Sequence, residues 1–373
     1  MLILDYILLF VIVIILSMLL QRYYEKKERL ETKDRYISIR NYLLNETSLG
    51  KNKKPLLWIH IPYEYNSRNW LDFNSRKSLE LNQPYLYLTV QSIIEKCDAD
   101  FNICLIDDAA FSKIIPNWEI NMKLISDPIL TYMRQLALVK LIHIYGGMTV
   151  PISFACFKNL DEMYKKGTRN DKVFLCETIN DNITSTAYNV YPNIQFMGAN
   201  KNNAMIEELI NFMERTISKD NTDQLNFAGE FNRWCNTRVY NNMINLIDGK
   251  EIGIKNMDDE IILIDNLLNS DYVSFYENMF GILIPSKMIL KRKKYEWFAR
   301  LSAEQVLESD TILSKHILVS LGKNTTLGKN TKNKHTEKED KPNWINFWSV
   351  PSDAPVWGFQ PNGLGDKLRS ITV

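Results

Sequence analysis

The sequence predicts an α/β fold, because short apolar runs typical of buried strands alternate with helical segments. Residues 55–61 and 101–106 are two such runs, and a helix that begins near Asn82 lies between them. The order strand, helix, strand implies parallel pairing through a right-handed crossover. The third observation is a long helix, 127–145, that ends on a double glycine before another apolar run.

The elements follow in order from local signals. Proline near the first turn starts the helix after Asn82, and Asp127 followed by proline starts the long helix. Gly146 and Gly147 end that helix, because glycine adopts positive φ without steric cost. We expect residues 148–154 to form one buried strand, Pro151 included. The later predicted elements are strands 172–177, 194–197, 261–264 and 280–285 and helices 202–217, 223–240 and 303–321.

Composition describes a globular chain with no bias towards nucleic acid. The 373 residues carry a net charge of +1 and are 45% hydrophobic. Five cysteines are scattered among apolar residues without metal-ligand spacing, which predicts buried, reduced thiols. Both His60 and His143 lie in apolar segments and are interpreted as structural histidines with satisfied hydrogen bonds.

The two ends of the chain differ from the body. Residues 1–20 are apolar apart from Asp5 and Ser17, and this predicts a membrane anchor at 1–21 that is long enough to cross a bilayer. The basic residues that follow predict a cytoplasmic body. This predicts a single-pass membrane protein with a helical stalk at 22–50. Residues 322–341 are polar and low in complexity, which predicts a disordered linker.

The tail, 342–373, is rich in aromatic residues and is predicted to form neither helix nor regular strand. Trp344, Trp348 and Trp357 have two interpretations. They either dock back on the domain or bind a protein partner, since exposed aromatic side chains are strong anchors.

The segment from the long helix through Tyr145-Gly146-Gly147 to the next strand resembles the sugar-binding region of DXD-containing glycosyltransferases. That group includes capsular polysaccharide and mannosyl-type enzymes. The resemblance extends over about residues 55–240. It implies a GT-A-like fold for residues 55–321, a Rossmann-type mixed sheet flanked by helices that binds a nucleotide-sugar. In the family, two aspartates after the glycines hold a divalent cation that neutralises the sugar diphosphate. Here Pro151 and Ser153 occupy those positions.

The family resemblance and the positions of the strand ends together indicate the residues of a candidate nucleotide-sugar cleft. Asp107 and Asp108 end a strand, where they either reach a metal or cap a helix. Arg134 either neutralises phosphate or forms an ion pair. No catalytic residue is assigned, and no metal or cofactor is expected. Mn²⁺ or Mg²⁺ is expected only if the protein is an active glycosyltransferase. The candidate residues are Asp107, Asp108, Arg134, Tyr145, Gly146, Gly147 and Ser153.

A glycosyltransferase-like fold that lacks the two metal-binding aspartates is compatible with three functions. The first is a membrane-anchored, glycosyltransferase-like protein that has lost activity and binds or scaffolds. The second is an active transferase with a non-standard or metal-independent site. The third is a membrane-tethered structural protein in which the glycines only end a helix. The abundance of Asn, Lys and Ile, as AT-rich coding produces, also suits a large DNA virus.

Overall fold

The computed structural model describes residues 16–18, 20, 54–62, 83, 85–179, 190–219, 229–321 and 344–346. The chain divides into two compact units, one of residues 1–53 with 112–117 and the other of 54–111 with 118–373. In the first unit, Leu16, Met18 and Leu20 are helical and exposed. The strands named below belong to the second unit. The helices named below also belong to it, except that residues 112–114 of the helix Phe111–Ile114 belong to the first unit.

A seven-stranded mixed sheet forms the centre of the part that the structure describes. Its order is β7-β5-β6-β3-β1-β2-β9, and β4 pairs with β8 in a separate antiparallel ribbon. Only β6 in the large sheet is antiparallel to its neighbours, so β1, β2, β3, β5, β7 and β9 run in one direction. The strands are β1 Leu56–His60, β2 Asn102–Ile106, β3 Gly147–Thr149, β4 Phe154–Cys156, β5 Val173–Ile179, β6 Val190–Ala199, β7 Ile244–Ile247, β8 Gly281–Leu283 and β9 Trp344–Asn346.

Helices connect these strands. Three short 3₁₀ segments, Met122–Leu124, Arg169–Asp171 and Lys293–Tyr295, add to them. The helices are α1 Tyr85–Cys97, α2 Phe111–Ile114, α3 Ile129–Tyr145, α4 Asp161–Gly167, α5 Ala204–Ile217, α6 Glu230–Tyr240, α7 Ile264–Leu268, α8 Ser286–Lys291, α9 Glu296–Arg300, α10 Ala303–Glu308 and α11 Ile312–Leu321.

The central strand β1 has the sequence expected of a strand covered on both faces. Its first four residues are apolar and buried, whichever face they point to. β1 pairs in parallel with β2 on one side and with β3 on the other. The predicted strand–helix–strand unit of β1, α1 and β2 is therefore confirmed, as are strands β5, β6 and β8 and helices α3 and α5.

The prediction of one strand over residues 148–154 is wrong. The chain leaves the large sheet after Thr149 and makes a turn in which the N–H of Phe154 donates to the carbonyl oxygen of Pro151 at 3.0 Å. It then enters the ribbon as β4. Proline has no N–H to continue a ladder, so Pro151 ends the strand instead of lying within it.

Other boundaries also need correction. Residues 261–264 contribute only an isolated bridge between Lys255 and Ile261 before α7 begins. The last predicted helix is two helices, because Ser302 caps α10 and Ser309 ends it before α11. Strand β7 was not predicted. The tail is not free of regular structure, since β9 pairs in parallel with β2.

Several predictions fall outside the described residues. These are nearly all of the anchor at 1–21, the stalk at 22–50, the linker at 322–341, and Trp348 and Trp357. Within the part of the chain that the structure describes, no helix has both the length and the apolar character needed to cross a membrane.

Candidate functional site

The carboxyl edge of the parallel strands is where a site is expected. The chain passes from β1 to β2 on one side, whereas β3 lies on the other side of β1. In open α/β sheets, ligands bind in the crevice outside the carboxyl ends of strands at such a reversal of strand order. Two groups of side chains lie at this edge, a charged cluster after β1 and β2 and a polar cleft after β3 and β5.

The charged cluster joins His60, Asp108 and Arg134. The Arg134 guanidinium donates through Nε to Asp108 Oδ1 at 2.9 Å and through Nη2 to Asp108 Oδ2 at 2.7 Å. His60 Nε2 lies 2.9 Å from Asp108 Oδ1, and the His60 ring stacks on Phe111 at 5.2 Å between centroids. Arg134 is only 7% exposed, so this two-pronged pair is largely shielded from water.

Local sequence explains why these groups meet. His60 is the last residue of β1, and Asp108 follows the end of β2, which pairs with β1 in register. Arg134 comes from α3, the helix that precedes β3. Of the two interpretations of Arg134, the structure contains the ion pair, and the His60 ring is within hydrogen-bond distance of Asp108. His143 differs, because its buried Nδ1 has no hydrogen-bond partner within the described residues.

Opposing effects act on the Asp108 carboxyl group. Burial alone would raise its pKa, but hydrogen bonds and charge from His60 and Arg134 outweigh burial and lower the pKa from 3.8 to about 2. The carboxylate is therefore ionised throughout the neutral range. Its oxygen atoms contact the Arg134 guanidinium and the His60 ring, which makes this cluster a structural clamp between β1, β2 and α3.

Acidification is expected to reveal this clamp. Because the folded-state pKa of Asp108 lies below its unfolded value, its contribution is complete well above pH 4 and declines as the pH falls towards 2. Between pH 5 and pH 3 the free energy of unfolding should fall by about 1 kcal/mol through this group alone. Urea unfolding of the wild type and of Asp108→Asn at both pH values measures it. Equal losses in the two proteins would contradict the assignment.

The neighbouring carboxylate has a different role. Asp107 Oδ1 accepts a hydrogen bond from the N–H of Ala110 at 2.8 Å, in the turn that leads into α2. This is the helix-capping interpretation of Asp107. Among the described residues, no group of three or more His, Cys, Asp or Glu side chains is placed so that it could hold a metal ion.

The residues Tyr145, Gly146 and Gly147 form the junction between α3 and β3. Gly146 has a φ of 75° and Gly147 a φ of 95°, both in the region that favours glycine. The indole N–H of Trp58 donates to the carbonyl oxygen of Gly146 at 3.1 Å, and the Tyr145 ring lies 5.8 Å from the Trp58 ring. These three residues support the sheet, and none of them lines the polar cleft.

The segment after β3 is held in place by polar side chains of α1. Thr89 Oγ1 donates to the carbonyl oxygen of Ile152 at 2.6 Å, and Ser92 Oγ accepts from the N–H of Cys156 at 2.8 Å. On the other side, the N–H of Ile284 donates to the carbonyl oxygen of Ser153 at 3.1 Å. Pro151 and Ser153 therefore lie in a segment that hydrogen bonds hold on both sides.

These two positions line a cleft. Its volume is about 120 Å³, and its walls come from the ends of β3 and β5, from β6 and from the segment around β8 and α8. Ser153 is 5% exposed. The lining residues are Pro151, Ser153, Thr178, Ile179, Asn193, Gln195, Ile254, Leu283, Ile284, Pro285, Ser286 and Lys287.

The chemistry of the cleft is neutral and polar. Half of the lining side chains are apolar, five carry hydroxyl or amide groups, and Lys287 at the exposed rim is the one charged residue. No carboxylate is among them. Proline cannot coordinate a metal and serine is a poor ligand, so this lining suits hydrogen bonding to a small polar molecule and not the capture of a hard cation.

The candidate residues thus separate into two groups. Asp108 and Arg134 meet in the clamp, while Ser153 lies in the cleft with residues that were not singled out from sequence. Thr178, Gln195 and Lys287 come from segments far apart in the chain and carry no motif. The predicted end of a strand at residue 177 is a signal in the sequence that indicates the neighbouring Thr178.

No family model and no curated protein matches the chain. Part of the chain is similar to a solved structure titled PaToxG Glycosyltransferase, with 11% identity and a TM-score of 0.28 over 57% of this chain and 79% of that chain. A similarity at this TM-score carries no argument about function. The class that the described residues define is a mixed α/β protein with helices flanking a mixed sheet.

Proposed function

We propose that the protein is a glycosyltransferase-like binding protein that takes a small polar ligand, of the size of one sugar ring, and lacks conventional metal-dependent transfer. The observation that carries the proposal is the cleft beside Pro151 and Ser153, in which five of the twelve described lining residues carry hydroxyl or amide groups and none carries a carboxylate. A sugar presents neutral hydroxyl groups in all directions, and such groups pair with neutral donors and acceptors at no cost in buried charge.

The size of the cleft suits one part of a nucleotide-sugar, such as the sugar ring, and not the whole molecule. Sites for larger ligands span roughly 300–1,000 Å³. The cleft of about 120 Å³ is smaller than that range and close to cavities that accept a single six-membered ring. Ser153 contributes a hydroxyl to the lining of the cleft, while Gln195 and Thr178 supply further polar groups on β6 and β5.

The proposal includes attachment to a membrane by residues 1–21, with the body in the cytoplasm. The apolar length of that segment and the basic residues after it support this placement. Release of the full chain from membranes by alkaline carbonate would contradict the anchor.

The polar lining can be tested by one substitution of nearly equal volume. Gln195→Leu removes the amide and keeps the side chain about the same size, so we expect saturable binding of a free monosaccharide to weaken at least about tenfold. Saturation-transfer NMR on the full-length protein in detergent, with glucose, galactose, mannose and N-acetylglucosamine as probes, measures this.

The matched control is Gln91→Leu on α1. Gln91 donates to Glu95 at 2.8 Å and is not among the residues of the cleft. It should leave binding unchanged. Absence of saturable binding in the wild type, or equal binding by wild type and Gln195→Leu, would overturn the proposed function.

One observation favours a second candidate, an active transferase with a metal-independent site. Lys287 places an ammonium group at the rim of the cleft, where it could neutralise a diphosphate leaving group. Arg134 is less suited to that role because Asp108 already occupies its guanidinium. Under this candidate, the full-length protein releases nucleoside diphosphate from a nucleotide-sugar without added metal, and Lys287→Met abolishes the release.

A further inference from the structure

Two buried thiols meet between α1 and β4. Cys97 is the last residue of α1 and Cys156 is the last residue of β4, and their sulfur atoms lie 4.0 Å apart. Both residues are fully buried, and both are free thiols. The other three cysteines, Cys104, Cys176 and Cys235, have no such thiol neighbour, so this pair differs from them in kind.

The geometry is close to that of a cross-link. A disulfide bond needs about 2.05 Å between sulfur atoms. The remaining gap of about 2 Å is within the reach of side-chain rotation combined with a small shift of one backbone. Cys156 is the fixed partner, because Ser92 holds its N–H and the Ser320 hydroxyl donates to its carbonyl oxygen at 2.5 Å. Cys97 lies at a helix end that is followed by a turn, where small movements cost least.

We propose that Cys97 and Cys156 are an oxidation site that a hydroperoxide converts into a disulfide. One thiolate attacks the peroxide, so that an S–O bond forms and the O–O bond breaks. The departing hydroxide takes up a proton to become water, or the departing alkoxide of an organic hydroperoxide becomes an alcohol. The second thiol then attacks the sulfenic sulfur, which forms the S–S bond, breaks the S–O bond and releases water. Two electrons pass from the sulfur pair to the peroxide, and no other reactant is needed.

Burial makes this reaction slow and selective. It raises the pKa of the Cys156 thiol, the neighbouring Cys97 raises it further, and the nearby Lys96 charge opposes both. Few molecules therefore carry the reactive thiolate at one time. Once a sulfenic acid forms, however, the second sulfur is already beside it, and condensation should outpace further oxidation.

The product would connect the end of α1 to the strand that follows the cleft segment. Residues 151–156 contain both Pro151 and Ser153, and α1 already holds this segment through Thr89 and Ser92. A covalent tie at Cys156 would add a third attachment. Oxidation is therefore expected to raise the midpoint temperature of unfolding, since a cross-link removes freedom from the unfolded chain.

The experiment exposes the full-length native protein in detergent to hydrogen peroxide, quenches with an alkylating reagent and digests the protein without reduction. Mass spectrometry should find one peptide pair joined through Cys97 and Cys156, and dithiothreitol should separate it. The count of free thiols should fall from five to three, and the unfolding midpoint should rise and return on reduction.

Two variants complete the test. Cys235→Ala, which removes a buried thiol outside the pair, should keep the cross-link, whereas Cys97→Ala should lose it and leave a sulfenic acid at Cys156 that dimedone labels. Should either variant fail to fold, the peptide map of the unaltered chain decides alone. Five alkylated cysteines after peroxide, or a cross-link that joins any other pair, would overturn the proposal.

Discussion

Replacing Gly147 with alanine is expected to lower the free energy of unfolding by at least about 3 kcal/mol. Gly147 has a φ of 95°, and an added Cβ would lie 2.1 Å from the carbonyl oxygen of Leu56. That oxygen belongs to the backbone of β1 at the centre of the sheet, so it cannot move aside as a side-chain end would. Strain and collision therefore act together at one position.

The matched control for this substitution is Gly229→Ala. Gly229 has a φ of −108°, and the nearest atom to its added Cβ is the end of the Arg233 side chain at 3.4 Å. The control should change stability by less than about 1 kcal/mol. Urea unfolding of both variants measures the difference. Similar stabilities for the two would contradict the packing described for the junction between α3 and β3.

Asp108→Ala is the second substitution with a large expected effect. It removes the hydrogen bonds that the Arg134 guanidinium donates to this carboxylate, in a site where Arg134 is 7% exposed. Removing one partner of a largely buried ion pair costs about 3–5 kcal/mol. Equilibrium unfolding in urea should report a loss of that size.

The double variant Asp108→Ala with Arg134→Met measures the coupling between the two side chains. Because the Arg134–Asp108 interaction can be lost only once, the destabilisation of the double variant should be smaller than the sum of the two single losses by about 1–3 kcal/mol. Strictly additive losses in the two single variants and the double variant would mean that the pair is not coupled, and the clamp between β2 and α3 would be wrong.

Local signals in the sequence were enough for much of the fold. The apolar runs that became β1 and β2 are buried on both faces, so their pattern does not depend on distant partners. Gly146 and Gly147 marked a helix end because positive φ is a local requirement. Strand β7 was missed since its four residues follow Asn241 and Asn242 and lack a strand-length apolar run.

Tertiary contacts decided the rest. The chain turns at Pro151 because Thr89 and Ile284 hold the segment beyond it, and both are remote in sequence. The pairing of Asp108 with Arg134 likewise depends on how β2 and α3 meet. The cleft combines β5, β6 and the region before α8, and no spacing of residues along the chain marks such a surface.

The central claim is that the cleft beside Pro151 and Ser153 binds a sugar-sized ligand while metal-dependent transfer is absent. The most direct measurement incubates the full-length protein with a panel of nucleotide-sugars, with and without Mn²⁺, and records ligand binding and release of nucleoside diphosphate in the same samples. We predict saturable binding of the sugar moiety and no release that depends on Mn²⁺. Turnover that requires Mn²⁺, or a panel with no binding at all, would contradict the claim.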